Sequence, residues 1–389
     1  MTSKERVHHA LHFKEPDRVP YDLCGTTVTA ITINAYIAAM KARGMKTDYE
    51  PKPVDVIQQI LTPTEENLLA LKSDTRRIGA IRIPEYQPGQ PEPGDVIKVT
   101  DYYGCDWVRD PLKDIYFNQV SYPLEKFDVL SEGIDSLYPP DWDEYVILLK
   151  KDLAEQMKRV TDFACIADRN TAGFTENSLR IRGYEKWYLD TILDVEGVDR
   201  LLNIILEDKM KYWDEVINWA IEEDCETRIQ VISECDDLGS QSSTILEPEL
   251  LRSLVIPKMK LLFQHLKKRL PHVKIFLHSC GAIRELIPDL IDAGMDILNP
   301  VQFTAANMDL KELKRDFGRD ITFWGGGVDT QSTLNQGSPQ EVKDQVRWVL
   351  DILAPGGGFV FAPVHNIQDD VSPDNFWAMW DTLQEYGKY

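Results

Sequence analysis

The chain has 389 residues, 43% of them apolar, enough for a large buried core. Its formal net charge of −21 argues against a nucleic-acid surface, where Lys and Arg must neutralise phosphates, and equally disfavours docking to an anionic membrane. Length alone would allow two or three domains, but α/β barrels routinely exceed the usual domain size as single units.

No apolar run approaches the roughly 20 residues a membrane helix needs. The opening Met1-Thr2-Ser3-Lys4-Glu5-Arg6-Val7 carries charges of both signs and no apolar segment like that of a signal peptide. Cysteines at 24, 105, 165, 225, 235 and 280 form no CxxC pair. They read as mostly buried thiols in a reducing compartment, so a cytoplasmic location is expected.

Taken in chain order, short β-rich runs alternate with longer helical ones, the sign of parallel β/α units. Expected strands are Val19–Asp22, Ser73–Ile78, Asp162–Asp168, Arg228–Ser233, Lys274–His278, Ile297–Pro300, Ile321–Gly325 and Gly358–Pro363. Several, such as Ile229-Gln230-Val231-Ile232, are nearly continuous apolar runs, as strands covered by helices outside and core inside would be. Val198–Glu222 sets Leu201, Leu202, Ile205, Met210, Trp213, Ile217 and Ala220 at helical spacing. Pro248–Leu270 and Pro339–Leu353 begin as helices do, the second capped by Ser338. The pattern predicts one (β/α)₈ TIM barrel over residues 1–389, an α/β fold.

Residues 82–140 break the rhythm with Pro84, Pro88, Pro91, Pro93, Pro111, Pro123, Pro139 and Pro140, and with a hairpin-like stretch at Asp101-Tyr102-Tyr103-Gly104. Lacking apolar residues for a core of its own, this segment is expected to be an insertion covering the barrel mouth. Its Tyr102, Tyr103, Trp107, Tyr116 and Phe117 are candidates for an apolar pocket wall.

The chemistry concentrates where strands end. In Lys274-Ile275-Phe276-Leu277-His278-Ser279-Cys280-Gly281 the alternation of an extended chain points His278 and Cys280 the same way. With His365, just beyond the last strand, they are expected to make a three-ligand zinc set with a fourth position open, the catalytic arrangement of that metal. A second cluster, Ser233-Glu234-Cys235-Asp236-Asp237, follows an apolar strand. Glu234 is a candidate metal ligand, and Asp236 or Asp237 a general acid, a general base or a substrate acceptor. Further candidate substrate contacts are Tyr21 and Asp22 at strand one, Asp74 and Arg76 on strand two, Asp329 after strand seven, and Asn366 and Gln368 after strand eight.

Five stretches together resemble the uroporphyrinogen decarboxylase superfamily. They are Lys4-Glu5-Arg6-Val7 through Glu15-Pro16-Asp17-Arg18-Val19-Pro20, Asp236-Asp237-Leu238-Gly239-Ser240-Gln241, His278-Ser279-Cys280-Gly281, Trp324-Gly325-Gly326-Gly327-Val328-Asp329-Thr330-Gln331, and Pro363-Val364-His365-Asn366-Ile367-Gln368. The likeness runs in order along essentially the whole chain and implies the barrel.

Two chemistries occur in that superfamily. The decarboxylase branch uses arginines in an amino-terminal Arg-Gln-Ala-Gly-Arg stretch, where this chain reads Tyr21-Asp22-Leu23-Cys24-Gly25-Thr26-Thr27 without an arginine. The resemblance is closer to the corrinoid-dependent methyltransferases, whose zinc enzymes carry a His-x-Cys followed far downstream by a Cys. His365 stands about where that Cys would be, a departure that keeps Glu234 in play as an alternative ligand.

The implied function is a zinc-dependent methyltransferase. It would move a methyl group between a small methylated substrate, such as a methoxylated aromatic, and cobalamin on a separate corrinoid protein, as in O-demethylation. No cobalamin motif of the Asp-x-His-x-x-Gly type is present in the chain itself. A homodimer is left open. The alternative is a metal-independent lyase of a smaller substrate working through Asp74, Arg76 and the Asp236–Asp237 pair.

Overall fold

A computed structural model describes residues 1–47, 53–79, 96–137 and 142–389. Of the expected insertion, residues 82–95 and 138–140 lie outside the described residues, with Pro84, Pro88, Pro91, Pro93, Pro139 and Pro140.

Seven parallel strands pair in sequence order: Thr75–Ile78, Ala164–Asp168, Ile229–Cys235, Lys274–His278, Ile297–Asn299, Thr322–Trp324 and Phe359–Val360. These are strands two to eight of the sequence pattern. Strand one survives as a short bridge. Tyr21 pairs in parallel with Phe361, Phe361 N donates to Pro20 O at 2.8 Å, and Asp74 N donates to Tyr21 O at 2.8 Å. Residues 20–22 therefore stand between strands eight and two and close the ring, as a (β/α)₈ barrel requires.

Alternation along the strands decides what fills the barrel. Ala164, Ile166, Val231, Phe276, Ile297, Trp324 and Val360 form one buried cluster inside it. Val7, Ala10 and Leu11 of the first helix, Ser3–Leu11, join the same cluster and plug the amino-terminal end. Outward-facing residues such as Ile232, Ile275 and Phe359 pack in the larger cluster with the helical layer.

The helices follow local chemistry. The 28-residue helix Val195–Glu222 starts where Asp194 accepts from Gly197 N at 3.0 Å, and it buries Leu201, Leu202, Ile205, Trp213 and Ile217. Pro339–Leu353 opens with a full capping box, Ser338 and Glu341 each accepting from the other's backbone N–H. The helix expected over Pro248–Leu270 is instead broken by a π turn at Leu251–Val255 before Ile256–Arg269 begins. Pro257 explains the break, because it has no N–H to give the preceding turn. Among the described residues no helix is long and apolar enough to cross a membrane.

Three short antiparallel strands, Ile97–Thr100, Asp106–Arg109 and Asn118–Gln119, form a separate sheet within the proline-rich segment. Its aromatic residues line the cavity described next.

Candidate metal centre and cavity

His278 is the last residue of strand five, and the chain turns three residues later at Gly281. That turn demands glycine. Its φ is +88°, and a Cβ there would sit 2.5 Å from the backbone carbon of Gly239. The extended run before it brings Cys280 back over His278, with Cys280 Sγ 3.4 Å from His278 Nε2. His365 arrives from beyond strand eight, its ring centroid 5.4 Å from that of His278. One donor atom from each of His278, Cys280 and His365 lies within 4.8 Å of the other two.

The donor set suits zinc. Tetrahedral bonds of about 2.0 Å to nitrogen and about 2.3 Å to sulfur place two ligand atoms roughly 3.5 Å apart, close to the His278–Cys280 separation. His278 Nδ1 lies 2.6 Å from Asn299 Oδ1, while the Asn299 amide nitrogen donates to Trp324 O at 2.8 Å. The amide is thus oriented, Nδ1 must carry the proton, and Nε2 keeps its lone pair toward Cys280. Burial lowers both imidazoles to about 4, helped at His365 by the neighbouring His278, so both are neutral at physiological pH. Burial, with the charges of Asp237 and Glu176, pushes the Cys280 thiol well up, so only a cation would hold it as thiolate.

His278 and His365 open onto a cavity of about 350 Å³. Tyr102, Tyr103, Trp107, Tyr116 and Phe117 line one side of it. Asp237 lines it too, accepting from Cys280 N at 2.8 Å with Oδ1 3.6 Å from His278 Nε2. Burial and the charge of Glu176 raise the Asp237 carboxyl to about 6.

The other expected site residues are placed elsewhere. Glu234 turns to the opposite face of strand four, where Lys209 Nζ donates at 2.7 Å and Trp213 Nε1 at 2.6 Å. One residue of strand phase sends Cys235 to the cavity and Glu234 to the helix behind, which corrects Glu234 as a metal ligand. Asp236 is fully buried and accepts from the backbone N–H groups of Thr175 and Glu176, tying down the start of helix Phe174–Arg182. Its expected role in acid–base chemistry gives way to that structural one.

Asp74 lies at the amino-terminal end of strand two, bonded by Arg6 at 2.6 Å and Arg18 at 2.7 Å, so it sits at the wrong end of the barrel for substrate. Arg76 faces outward, bound to Glu65 at 2.5 Å and lying 3.6 Å over the Phe163 ring. Tyr21 also faces outward, toward Phe361. Asp22 points into the barrel below the cavity, accepting from Thr75 Oγ1 at 2.6 Å and Trp324 Nε1 at 2.8 Å. Asp329 accepts from Ser332 N at 2.8 Å and shapes its own loop. Asn366 pins the segment 27–30, accepting from Ala30 N at 2.7 Å and donating to Thr27 O at 2.9 Å. Gln368 is half-buried beyond it. Each is a packing or loop contact, not a wall of the cavity.

Sequence reasoning missed the loop and helix after strand three, where Arg169 and Asn170 of the loop and Glu176 and Arg180 of helix Phe174–Arg182 line the cavity. The one available signal was position, since Arg169 directly follows the apolar run that ends at Asp168.

Residues 170–386, more than half of the chain, match the family model of uroporphyrinogen decarboxylase (URO-D). No curated protein matches the sequence. Among solved structures, a methyltransferase from Methanosarcina mazei superposes with a TM-score of 0.66 at 17% identity, covering 99% of each chain. At that identity the likeness is one of fold. Xylanase 10B from Thermotoga petrophila RKU-1 in complex with xylobiose reaches a TM-score of 0.35 at 10% identity, over 63% of this chain and 90% of its own. The chain belongs to the uroporphyrinogen decarboxylase family.

Proposed function

We propose that this chain is a methyltransferase that moves a methyl group between a small methylated molecule, of the methoxylated aromatic kind, and cobalamin on a separate corrinoid protein. The observation that carries the reading is the His278–Cys280–His365 group, three donors within 4.8 Å opening on a small cavity with an aromatic side. The full-length superposition on a methyltransferase fold is consistent with it.

His278, Cys280 and His365 would hold zinc, which when bound supplies a Lewis acid to polarise the heteroatom that carries the methyl group. The remaining work falls to the chain. Asn299 keeps the His278 lone pair aimed at the centre. Asp237, its Oδ1 3.6 Å from His278 Nε2, stands where a proton can pass to a departing oxygen. The aromatic side chains take up an aryl ring and exclude water from it.

The lyase alternative needed Asp74, Arg76 and the Asp236–Asp237 pair at the cavity, and of these only Asp237 is there. The test is methylcobalamin formation from chemically reduced cobalamin and a panel of methoxylated aromatics, followed by absorbance. Turnover that needs zinc is expected. A zinc-loaded, folded protein that methylates cobalamin from no donor in the panel would contradict the proposal.

A further inference from the structure

Arg169 has no part in the chemistry above, yet its guanidinium is sparsely hydrogen-bonded for a buried cavity cation, although Asp168, Glu176 and Glu234 supply negative charge around it. It is 6% exposed and lines the cavity. A guanidinium stays charged and offers five N–H donors, so burying it calls for acceptors around the fork. Among the described residues its side chain makes one hydrogen bond, at 3.4 Å to Asp168 Oδ1. That carboxylate is already shared, since its other oxygen accepts from Thr27 N at 2.9 Å and stands 4.0 Å from Arg77. Arg180, across the same cavity, contrasts with it, bonded to Glu176 at 3.1 Å and lying over the Trp107 ring.

We propose that Arg169 anchors a carboxylate of the substrate, so that the molecule transformed is a methylated aromatic acid held between Arg169 at one end and the His278–Cys280–His365 group at the other. This inference rests on the methyl-transfer reading for the identity of the second end only. Barrel register sets the spacing. Asp168, next to Arg169, pairs with Ser233 on strand four, and Cys235 of that strand pairs with His278. Two strand spacings of about 4.8 Å put roughly 10 Å between the two backbones. With both side chains reaching inward, one ring can bridge the gap.

Charge and shape agree with that orientation. Asp237 stands at the ligand end, its Oδ1 3.6 Å from His278 Nε2, and Arg169 lines the cavity at the other. Between them, Tyr102 and Tyr103 have their hydroxyls bonded to Asp208, and Trp107 Nε1 donates to Asp101 at 2.9 Å, so their polar tips are engaged and the rings remain for an aryl group. A planar carboxylate matches the guanidinium fork as two parallel hydrogen bonds. A cavity of about 350 Å³ suits a one-ring compound.

The test is direct binding to full-length, zinc-loaded protein by calorimetry, using the pairs benzoate with benzamide and 4-methoxybenzoate with 4-methoxybenzamide. Each acid is expected to bind at least about tenfold tighter than its amide, a preference worth roughly 1.4 kcal/mol. Arg169→Gln should erase the preference and Arg169→Lys should keep part of it, with zinc content unchanged in both. Equal binding of acid and amide to the unaltered protein overturns the proposal whatever the variants do, as does a preference that survives Arg169→Gln. Acid preference without methyl transfer from any methoxybenzoate would sustain the anchor and sink the methyl-transfer reading. Transfer from methoxybenzene at the same kcat/KM as from 4-methoxybenzoate would do the reverse.

Discussion

Asn299 and His278 form a hydrogen bond of 2.6 Å between two buried side chains at the ends of neighbouring strands, and it decides which histidine nitrogen faces the cavity. The amide cannot turn over, because its nitrogen is committed to Trp324 O. Asn299→Leu should therefore free the His278 ring and weaken zinc binding by about 10–100-fold, the usual effect of losing such a supporting contact. Competition with a chromophoric chelator reads this directly. Unchanged zinc affinity in a folded variant would mean that His278 needs no such support.

Zinc binding should release close to one proton at pH 7. Both imidazoles are lowered to about 4 by burial and so are already deprotonated, whereas burial keeps Cys280 as the thiol until a cation arrives. The metal displaces the thiol proton and nothing from the histidines. Below about pH 4 the histidines charge, and the protons displaced should approach three as affinity collapses. Calorimetry of zinc binding in buffers of different ionisation enthalpy measures the number. A release of two or three protons at pH 7 would show that the imidazoles are charged in the metal-free protein.

Asp237→Asn should retain zinc but lower kcat by about 100-fold. The amide can still accept from Cys280 N, so the loop is preserved while the transferable proton is lost. The loss should appear in kcat and not in zinc content. Full turnover in the variant would remove Asp237 from the chemistry.

Asp74→Asn should act on stability alone. It removes the buried charge that Arg6 and Arg18 both reach, and because Arg6 keeps Asp17 at 2.7 Å the cost should be about 1.5–3 kcal/mol, that of weakened hydrogen bonds to a charged group. Chemical denaturation should show the drop, with KM for the methyl donor unchanged in the protein that remains folded. A raised KM at unaltered stability would restore Asp74 as a substrate contact.

The barrel was legible because its strands are written as apolar runs that stop at residues with a different task. Lys274–His278 has the same bounds in sequence and structure, since Phe276 and Leu277 are followed at once by His278. Strand one was harder, because residues 20–22 include Pro20, which cannot donate, and only a bridge forms. The interrupted helix after Pro248 turned on Pro257, a single residue inside an otherwise continuous apolar period.

Within the site, His278 and Cys280 were readable because an i, i+2 pair on an extended chain shares a face whatever the surrounding fold. Adjacent acidic residues carried no such guide. Glu234 and Asp236 end up behind the strand and under a helix, and only Asp237 reaches the cavity. Asp74 and Arg76 misled for a related reason, since composition does not reveal which end or face of a strand a charge will occupy. Arg169 stands alone in its segment, and only the closing of the barrel gives it a cavity to face.

The central claim is that His278, Cys280 and His365 bind one catalytic metal ion, and metal content tests it most directly. Tag-free protein purified without added zinc, beside Cys280→Ala and His365→Ala, would be assayed by elemental mass spectrometry. About one zinc per chain is expected in the unaltered protein and a near-complete loss in both variants, with the fold retained. Freshly purified, folded protein without zinc that also takes up none on addition, or variants that keep a full complement, would contradict it.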